Sequence, residues 1–353
     1  MSATTESSPA PAVVDETQSG LNARTLVDLV LRARTLGILA FLALVVLVTW
    51  LIEPRFLSSG NIQFILGDTT VYALVAIGET FVVLTRNVDL SVGSVVGLSA
   101  YVSANMFQVH HGIPVPLVFV VGLGVGLCCG TVTGLITAVG RVPSLVVTLA
   151  MLYIIRGFDE IVFGSGQVVA SSEPDSFGNI FQATILGIPD IAWVVAIVVG
   201  LAAMYLRSYR SGRDLYAIGS DPAAARLAGL PIGRRVFGAF VISGAVAGVG
   251  GVLWATQYQT IDATAANGLE LQIIAAVVVG GVAIFGGSGS VVGAALGALL
   301  LQTINVALNV LGIPSLWTQP IAGFLLLAAI TMDRGIQLRL AAALRKRRGH
   351  VDV

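Results

Sequence analysis

Charge is scarce in this chain of 353 residues: only 11% are Asp, Glu, Lys or Arg. Soluble domains carry about 25%. A water-soluble globular fold is therefore excluded. There are 19 basic and 19 acidic side chains, so the formal net charge is zero and gives no electrostatic footprint for nucleic acid. Cysteine is almost absent. Cys128 and Cys129 are adjacent inside an apolar run, and neighbouring thiols in apolar surroundings pack rather than pair. Of the three histidines, His110, His111 and His350, none falls in an apolar run, so no buried histidine cluster supports a metal site. No Gly-x-Ser-x-Gly and no His-Glu-x-x-His occurs, which removes the familiar hydrolase arrangements. No catalytic residue is assigned.

What the chain has instead is apolar surface. Hydrophobic residues make up 56%, and mean hydropathy is +0.92. They come in blocks of the length that crosses a bilayer core as a helix, about 20 residues. The pattern predicts an all-α membrane protein with ten transmembrane helices. These are 36–52, 63–84, 90–109, 115–138, 144–163, 191–207, 236–256, 270–286, 290–311 and 317–333. The third and eighth open on polar residues, Asp89 and Glu270, and are expected to be broken or re-entrant. Residues 1–34 read as a cytoplasmic disordered tail and basic pre-span segment, without the basic start of a cleaved signal peptide. Residues 35–334 form the transmembrane domain, and 335–353 a basic cytoplasmic tail.

Orientation follows from the basic residues. With the N-terminus inside, seventeen Lys and Arg fall on inner segments, and only Arg55 and Arg156 fall outside. Both termini are then cytoplasmic. Trp50, Trp193, Trp254 and Trp317 fall near outer ends of spans, where tryptophan prefers the interface. Gly122, Gly126, Gly130 and Gly134 recur every four residues, as do Gly244 and Gly248, and Gly293 and Gly297. Small residues at that spacing let helix backbones approach closely in lipid. A faint echo between 130–145 and 297–316, both ending in Pro-Ser-Leu, suggests inverted repeats of spans 2–5 and 7–10.

The longest inner connection, 208–235, holds "SDPAAARLAGLP" (220–231). Asp221 suits an N-cap and Pro222 the first helical position. Ala223, Ala224 and Ala225 are strong helix formers. Gly229 suits the left-handed C-terminal position, with Pro231 beyond it. So short a helix is marginal alone in water. The apolar residues Ala224, Leu227 and Ala228 are too few to anchor it in lipid, so a groove on a cytoplasmic partner is the expected site.

Three stretches carry a specific resemblance. "NVDLSVGSVVGLSA" (87–100), "YAIGSDPAAARLAGLPIGRRV" (216–236) and "NGLELQIIAAVVVGGVAIFGGSGSVVGAALGALLL" (267–301) resemble permease subunits of ATP-binding cassette sugar importers, in the ribose/xylose/rhamnose branch. The resemblance covers about 35–334. It implies a multi-pass protein of the bacterial inner membrane that moves a pentose, hexose or deoxyhexose by alternating access. Its implied partners are an ABC ATPase, a second permease subunit and a periplasmic sugar-binding protein. It implies that Asp221 to Gly229 is the coupling helix, with Arg226 facing an acidic edge of the ATPase. Ala223 stands where many other importer permeases carry Glu, so no salt bridge is carried over there. The chain itself binds no cofactor on this reading; ATP and Mg belong to the ATPase. "IFGGSGS" (284–290) lacks the Lys and Ser/Thr of a phosphate loop and reads as a tight inner turn.

Polar residues inside spans are candidates for the pathway. Glu79 either lines the pathway, accepting from sugar hydroxyls, or makes a helix contact. Asp89 either caps the third span or gates, with Ser91 and Ser94 adding local bonds. Glu270 and Gln272 cap or make subunit contacts, or line the pathway. A self-sufficient secondary transporter of a small polar solute is the alternative. It would need ion-coupling residues of its own, for which Glu79 and Asp89 are available, and it leaves the capped helix unexplained.

Overall fold

The computed structural model describes residues 17–110, 112–164, 166–169, 174–258 and 260–348. His111 and His350 lie outside them. Thirteen helices appear among the described residues. In chain order they are α1 (Thr17–Ile52), α2 (Ser59–Leu84), α3 (Val92–Val109), α4 (Val115–Ala138), α5 (Ser144–Phe163), α6 (Asp175–Gly178), α7 (Asp190–Ser208), α8 (Arg210–Ser220), α9 (Pro222–Leu227), α10 (Ile232–Tyr258), α11 (Leu269–Val279), α12 (Val291–Val310) and α13 (Thr318–Arg348). A helix occupies each of the ten predicted segments. Among the described residues seven helices are long and apolar enough to cross a membrane. Of the other three, α5 carries Arg156, Asp159 and Glu160, α11 has only 11 residues, and the apolar part of α13 is Thr318–Met332.

One expectation shifts at the start of the chain: helix α1 begins at Thr17, so 17–34, read as disordered tail and pre-span segment, is helical, and α13 carries helix through the basic tail to Arg348. Both stretches are rich in Leu, Ala and Arg, which favour helix. Residues 1–16 and 349–353 lie outside the described residues.

Helix α2 is buried on every side from Val71 to Leu84, as a helix apolar all round must be. It packs against α7, α8, α10, α11 and α12. Helix α10 is the second axis of the bundle and touches α2, α3 and α4. Its contact with α4 is made by glycine. A Cβ on Gly126 would overlap the Gly244 carbonyl oxygen and lie 2.8 Å from Gly248 Cα; one on Gly130 would lie 2.5 Å from the Phe240 carbonyl oxygen. The four-residue glycine repeats of the two helices thus face one another, backbone against backbone. Ser99 of α3 adds a hydrogen bond, its Oγ donating to the Gly248 carbonyl at 2.6 Å.

Helices α3 and α11 start away from the bundle ends. Residues 85–91 and 262–268 precede them without regular helix, and the two N-termini meet: the Glu270 side chain fills the space beside Gly93. At the end of the bundle remote from α9, two antiparallel strand pairs close the loops. One joins Val168–Val169 to Thr260–Ile261; the other is a hairpin of Thr184–Ile185 and Ile188–Pro189. The hairpin turns through Leu186 (φ 57°) and Gly187 (φ 79°), the left-handed pair that a tight hairpin requires.

The glycine seam makes a prediction. Gly126→Val should destabilise the folded chain by about 1–3 kcal/mol or more, because a packed interface must open to admit the side chain. Gly124→Val, two residues away where a Cβ meets nothing within 4 Å, should stay within about 0.5 kcal/mol. Thermal unfolding in detergent compares the two.

Candidate functional site

The short helix α9 is built as its sequence dictates. Asp221 has extended backbone (φ −149°, ψ 99°), and its Oδ1 accepts from the N–H groups of Ala223 (2.9 Å) and Ala224 (3.0 Å). Pro222 opens the helix. At the other end Gly229 takes φ 73°. The N–H groups of Gly229 and Leu230 donate to the carbonyls of Arg226 and Ala225, each at 3.0 Å. Ala225 is buried, while Ala223, Ala224, Arg226 and Ala228 are exposed and Leu227 is 91% exposed. The helix is therefore seated by one alanine and presents the remainder of its surface outward.

Helix α8 was not foreseen inside the 208–235 connection. Its buried residues Asp214, Leu215, Ile218 and Gly219 fall at helical spacing. That stripe is the signal that polar Arg210, Ser211 and Arg213 obscure. Three side chains bind this region to the bundle. Asp214 Oδ2 accepts from Arg235 Nε (2.9 Å) and Nη2 (2.8 Å), joining α8 to α10. Tyr216 donates its hydroxyl to the Gly289 carbonyl at 3.0 Å. Arg86, in left-handed backbone at φ 65°, donates Nε to the Gly219 carbonyl and Nη2 to the Ser220 carbonyl (2.8 Å). Ser220 immediately precedes Asp221. Gly219 itself lies where any Cβ would strike the Leu84 carbonyl oxygen, and Gly287 donates its N–H to that same oxygen at 3.1 Å. The Gly286–Gly289 segment is a tight turn, as expected for "IFGGSGS", with Gly286, Gly287 and Gly289 all at positive φ.

Arg86 opens the non-helical stretch that leads to the buried carboxylates. Glu79 and Asp89 are 0% and 2% exposed. The Asp89 N–H donates to Glu79 Oε1 at 3.1 Å. Asp89 Oδ1 accepts from the Ser91 N–H (3.0 Å) and Ser91 Oγ (2.5 Å), and its Oδ2 accepts from Ser243 Oγ of α10 (3.3 Å). Asp89 is thus not the cap of α3: Ser91 holds that position without a side-chain cap bond. Asp89 turns the chain one step earlier and ties α2, α3 and α10 together. Ser94 donates to the Ser91 carbonyl at 2.8 Å. Glu79 Oε2 has no partner among the described residues. From the far side, Ser144 and Thr148 of α5 bond the backbone of Val88 (3.4 and 3.3 Å).

Glu270 lies at the start of α11 beside the N-terminus of α3, within electrostatic reach of Arg156. Carboxylate is favoured at a helix N-terminus. Arg156 Nη1 passes over Gly97 to bond the Ala265 carbonyl at 2.6 Å. Gln272 lies apart from these groups, in the lining of a cavity of about 330 Å³ with Tyr72, Trp254 and Tyr258. Trp254 therefore faces protein, its ring tilted 31° against that of Tyr258 at 4.3 Å between centroids, rather than forming part of an interfacial belt. Trp50, Trp193 and Trp317 are exposed.

Sequence reasoning passed over Asp68. It is 1% exposed within α2 and accepts from the Tyr258 hydroxyl at 2.9 Å. Its signal was available, a carboxylate inside a predicted span. Asp159, also buried, has neither oxygen bonded among the described residues.

Comparison with known proteins agrees with this architecture. The ribose import permease protein of Haemophilus influenzae is 35% identical over 299 residues, spanning 83% of this chain and 92% of its own length. That of Escherichia coli K12 is 35% identical over 301 residues (84% and 92%). The autoinducer 2 import system permease protein of an Enterobacter species is 34% identical over 296 residues (83% and 85%). No solved structure matches. A family model described as "branched-chain amino acid transport system / permease component" matches residues 61–330, which include both carboxylates, α8 and α9. The chain is a multi-pass membrane protein that belongs to this family of transport-system permease components.

Proposed function

We propose that the chain is the membrane permease of an ATP-driven importer, with a sugar as its cargo. The observation that carries this reading is α9: a doubly capped helix of six residues, seated by Ala225, that offers an exposed leucine and arginine outward. The similarity to ribose and autoinducer 2 import permeases supports sugar as the cargo over a branched-chain amino acid.

On this reading the α9 end is cytoplasmic, in line with the seventeen-to-two distribution of basic residues. All ten helical segments cross or enter the bilayer. The third and eighth hold equivalent places in spans 2–5 and 7–10, and both begin within the bundle after a non-helical stretch, one entering from each side, which supports the inverted-repeat plan. A separate ATPase binds ATP and Mg and receives α9 in a groove. A second permease subunit completes the channel, and a binding protein delivers cargo at the opposite end. No ATP site is assigned to this chain.

The work done on α9 reaches the bundle through contacts already described. Arg86 grips the last two carbonyls of α8, one residue before the α9 cap. Through 87–91 it adjoins Asp89, Glu79 and Ser243. We assign Asp221 to Gly229 to ATPase contact, Arg86 to transmission, and the Glu79–Asp89 pair with Ser91 and Ser94 to holding the mid-bundle break. Glu270 holds the second break, at α11.

Two outcomes are expected with the reconstituted importer. Leu227→Asp should leave the chain folded and reduce uptake at least about tenfold, as expected when a buried apolar anchor is lost, while the ATPase loses its response to loaded binding protein. Normal uptake at normal expression would refute the lever, and uptake persisting without any ATPase would point to a secondary transporter. Arg86→Ala should keep ATPase docking but lower sugar moved per ATP, measured as the ratio of the two rates. An unchanged ratio would remove Arg86 from the transmission route.

A further inference from the structure

The cavity at the end remote from α9 has no part in the coupling described above, and its lining is chemically distinctive. One wall is aromatic: Tyr72, Trp254 and Tyr258, with Trp254 in tilted ring contact with Tyr258 and its centroid 6.4 Å from that of Tyr72. The other is polar, with Asp262, Asn267 and Gln272. The volume is about 330 Å³, within the range of small-molecule sites.

Both walls are held from behind. The Tyr258 hydroxyl is spent on the buried Asp68 carboxylate at 2.9 Å, and Asp68 Oδ2 has no partner among the described residues. Asp262 Oδ1 accepts from the Thr264 N–H (2.8 Å) and hydroxyl (2.7 Å) and so shapes the polar strand. A site whose side chains are fixed before the ligand arrives loses less entropy on binding.

The charges of the lining select the ligand. No Lys, Arg or His lines the cavity; Arg156, which bonds the backbone of the lining residue Ala265, lies outside the lining with Glu270 and Asp159 within electrostatic reach, so an α-carboxylate or a phosphate finds no counter-charge in the lining itself. The nearby N-terminus of α11 is served by its own Glu270. What remains suits an uncharged molecule with an apolar face and a rim of hydroxyls. The C–H face of a sugar ring carries slight positive charge and packs on the negative face of an aromatic ring. Carboxamide and carboxylate groups take its hydroxyls, as donors and acceptors.

We propose that this cavity is a binding site for one uncharged monosaccharide, stacked on Trp254 and hydrogen-bonded by Asp262, Asn267 and Gln272. The proposal rests on the sugar-importer reading and deepens it. It gives this chain its own selectivity for neutral sugars over amino acids.

The test has two arms. In cells, uptake of D-ribose, D-xylose, L-rhamnose, D-glucose and L-leucine is compared with and without the chain; loss of one sugar is expected. With that sugar, saturation-transfer NMR is run on the full chain in nanodiscs. Transfer to ring C–H protons is expected, with binding weakened about three- to tenfold by Trp254→Ala and restored by Trp254→Phe. Trp193→Ala, on an exposed face outside the cavity, should change nothing. Asn267 is exposed, so Asn267→Ala decides the matter if Trp254→Ala does not fold. Chain-dependent sugar uptake with no transfer, or with transfer indifferent to Trp254→Ala and Asn267→Ala, overturns the site but not the function. Equal transfer to L-leucine overturns the selectivity. No chain-dependent uptake of any sugar overturns the functional reading and the site with it, before any variant is compared.

Discussion

The approach of α4 to α10 at the glycine seam governs the rest of the bundle. Side chains ordinarily hold helix axes 8–10 Å apart; here Gly126 and Gly130 meet Gly244 and Gly248 with no side chain between. Helix α10 is then fixed in depth and rotation against its neighbour. Three distant features depend on that placement. Near its start Arg235 reaches Asp214 of α8, in its middle Ser243 reaches Asp89, and at its end Trp254 and Tyr258 form the aromatic wall. A single rigid element of 27 residues thus sets the geometry at both ends of the bundle and at its centre.

Between those stations the polar groups are organised by scarcity. In hydrocarbon an unpaired polar group is expensive, and the chain keeps its interior ones paired locally. Asp89 gathers three donors within a few ångströms. Thr69, Thr80 and Thr303 return their hydroxyls to carbonyls four residues back. Among the exceptions, Glu79 Oε2 sits beside the mid-bundle break, Asp68 Oδ2 behind the cavity, and both Asp159 oxygens on α5.

What could be read from the sequence was what depends on neighbours in the chain. The helical segments, the glycine stripes, the caps of α9 and the turn at 284–290 follow from local composition and spacing; a helix stands in each of the ten segments, and seven of the helices are long and apolar enough to cross a membrane among the described residues. The interior starts of α3 and α11 were signalled by Asp89 and Glu270, although Asp89 shapes the turn before α3 instead of capping it. Helix α8 was hidden because its apolar stripe is narrow and its flanks are polar. The cavity was illegible for a deeper reason. Tyr72 and Trp254 are 182 positions apart, and nothing local in either distinguishes a wall of a site from a lipid-facing ring. Asp68 was legible as a carboxylate inside a span, but its partner Tyr258, 190 residues away, was not.

Arg86 joins two demands that normally exclude each other. Its backbone lies at φ 65°, a region where glycine or asparagine is more comfortable. Its guanidinium meanwhile bridges Gly219 and Ser220, which neither of those residues could do. Selection for thermal stability alone would therefore favour relaxing this position, and the relaxed chain would fold better while losing its grip on α8. Stabilised variants of such a protein, the kind often sought for crystallisation, would tend to be stabilised at the expense of this joint.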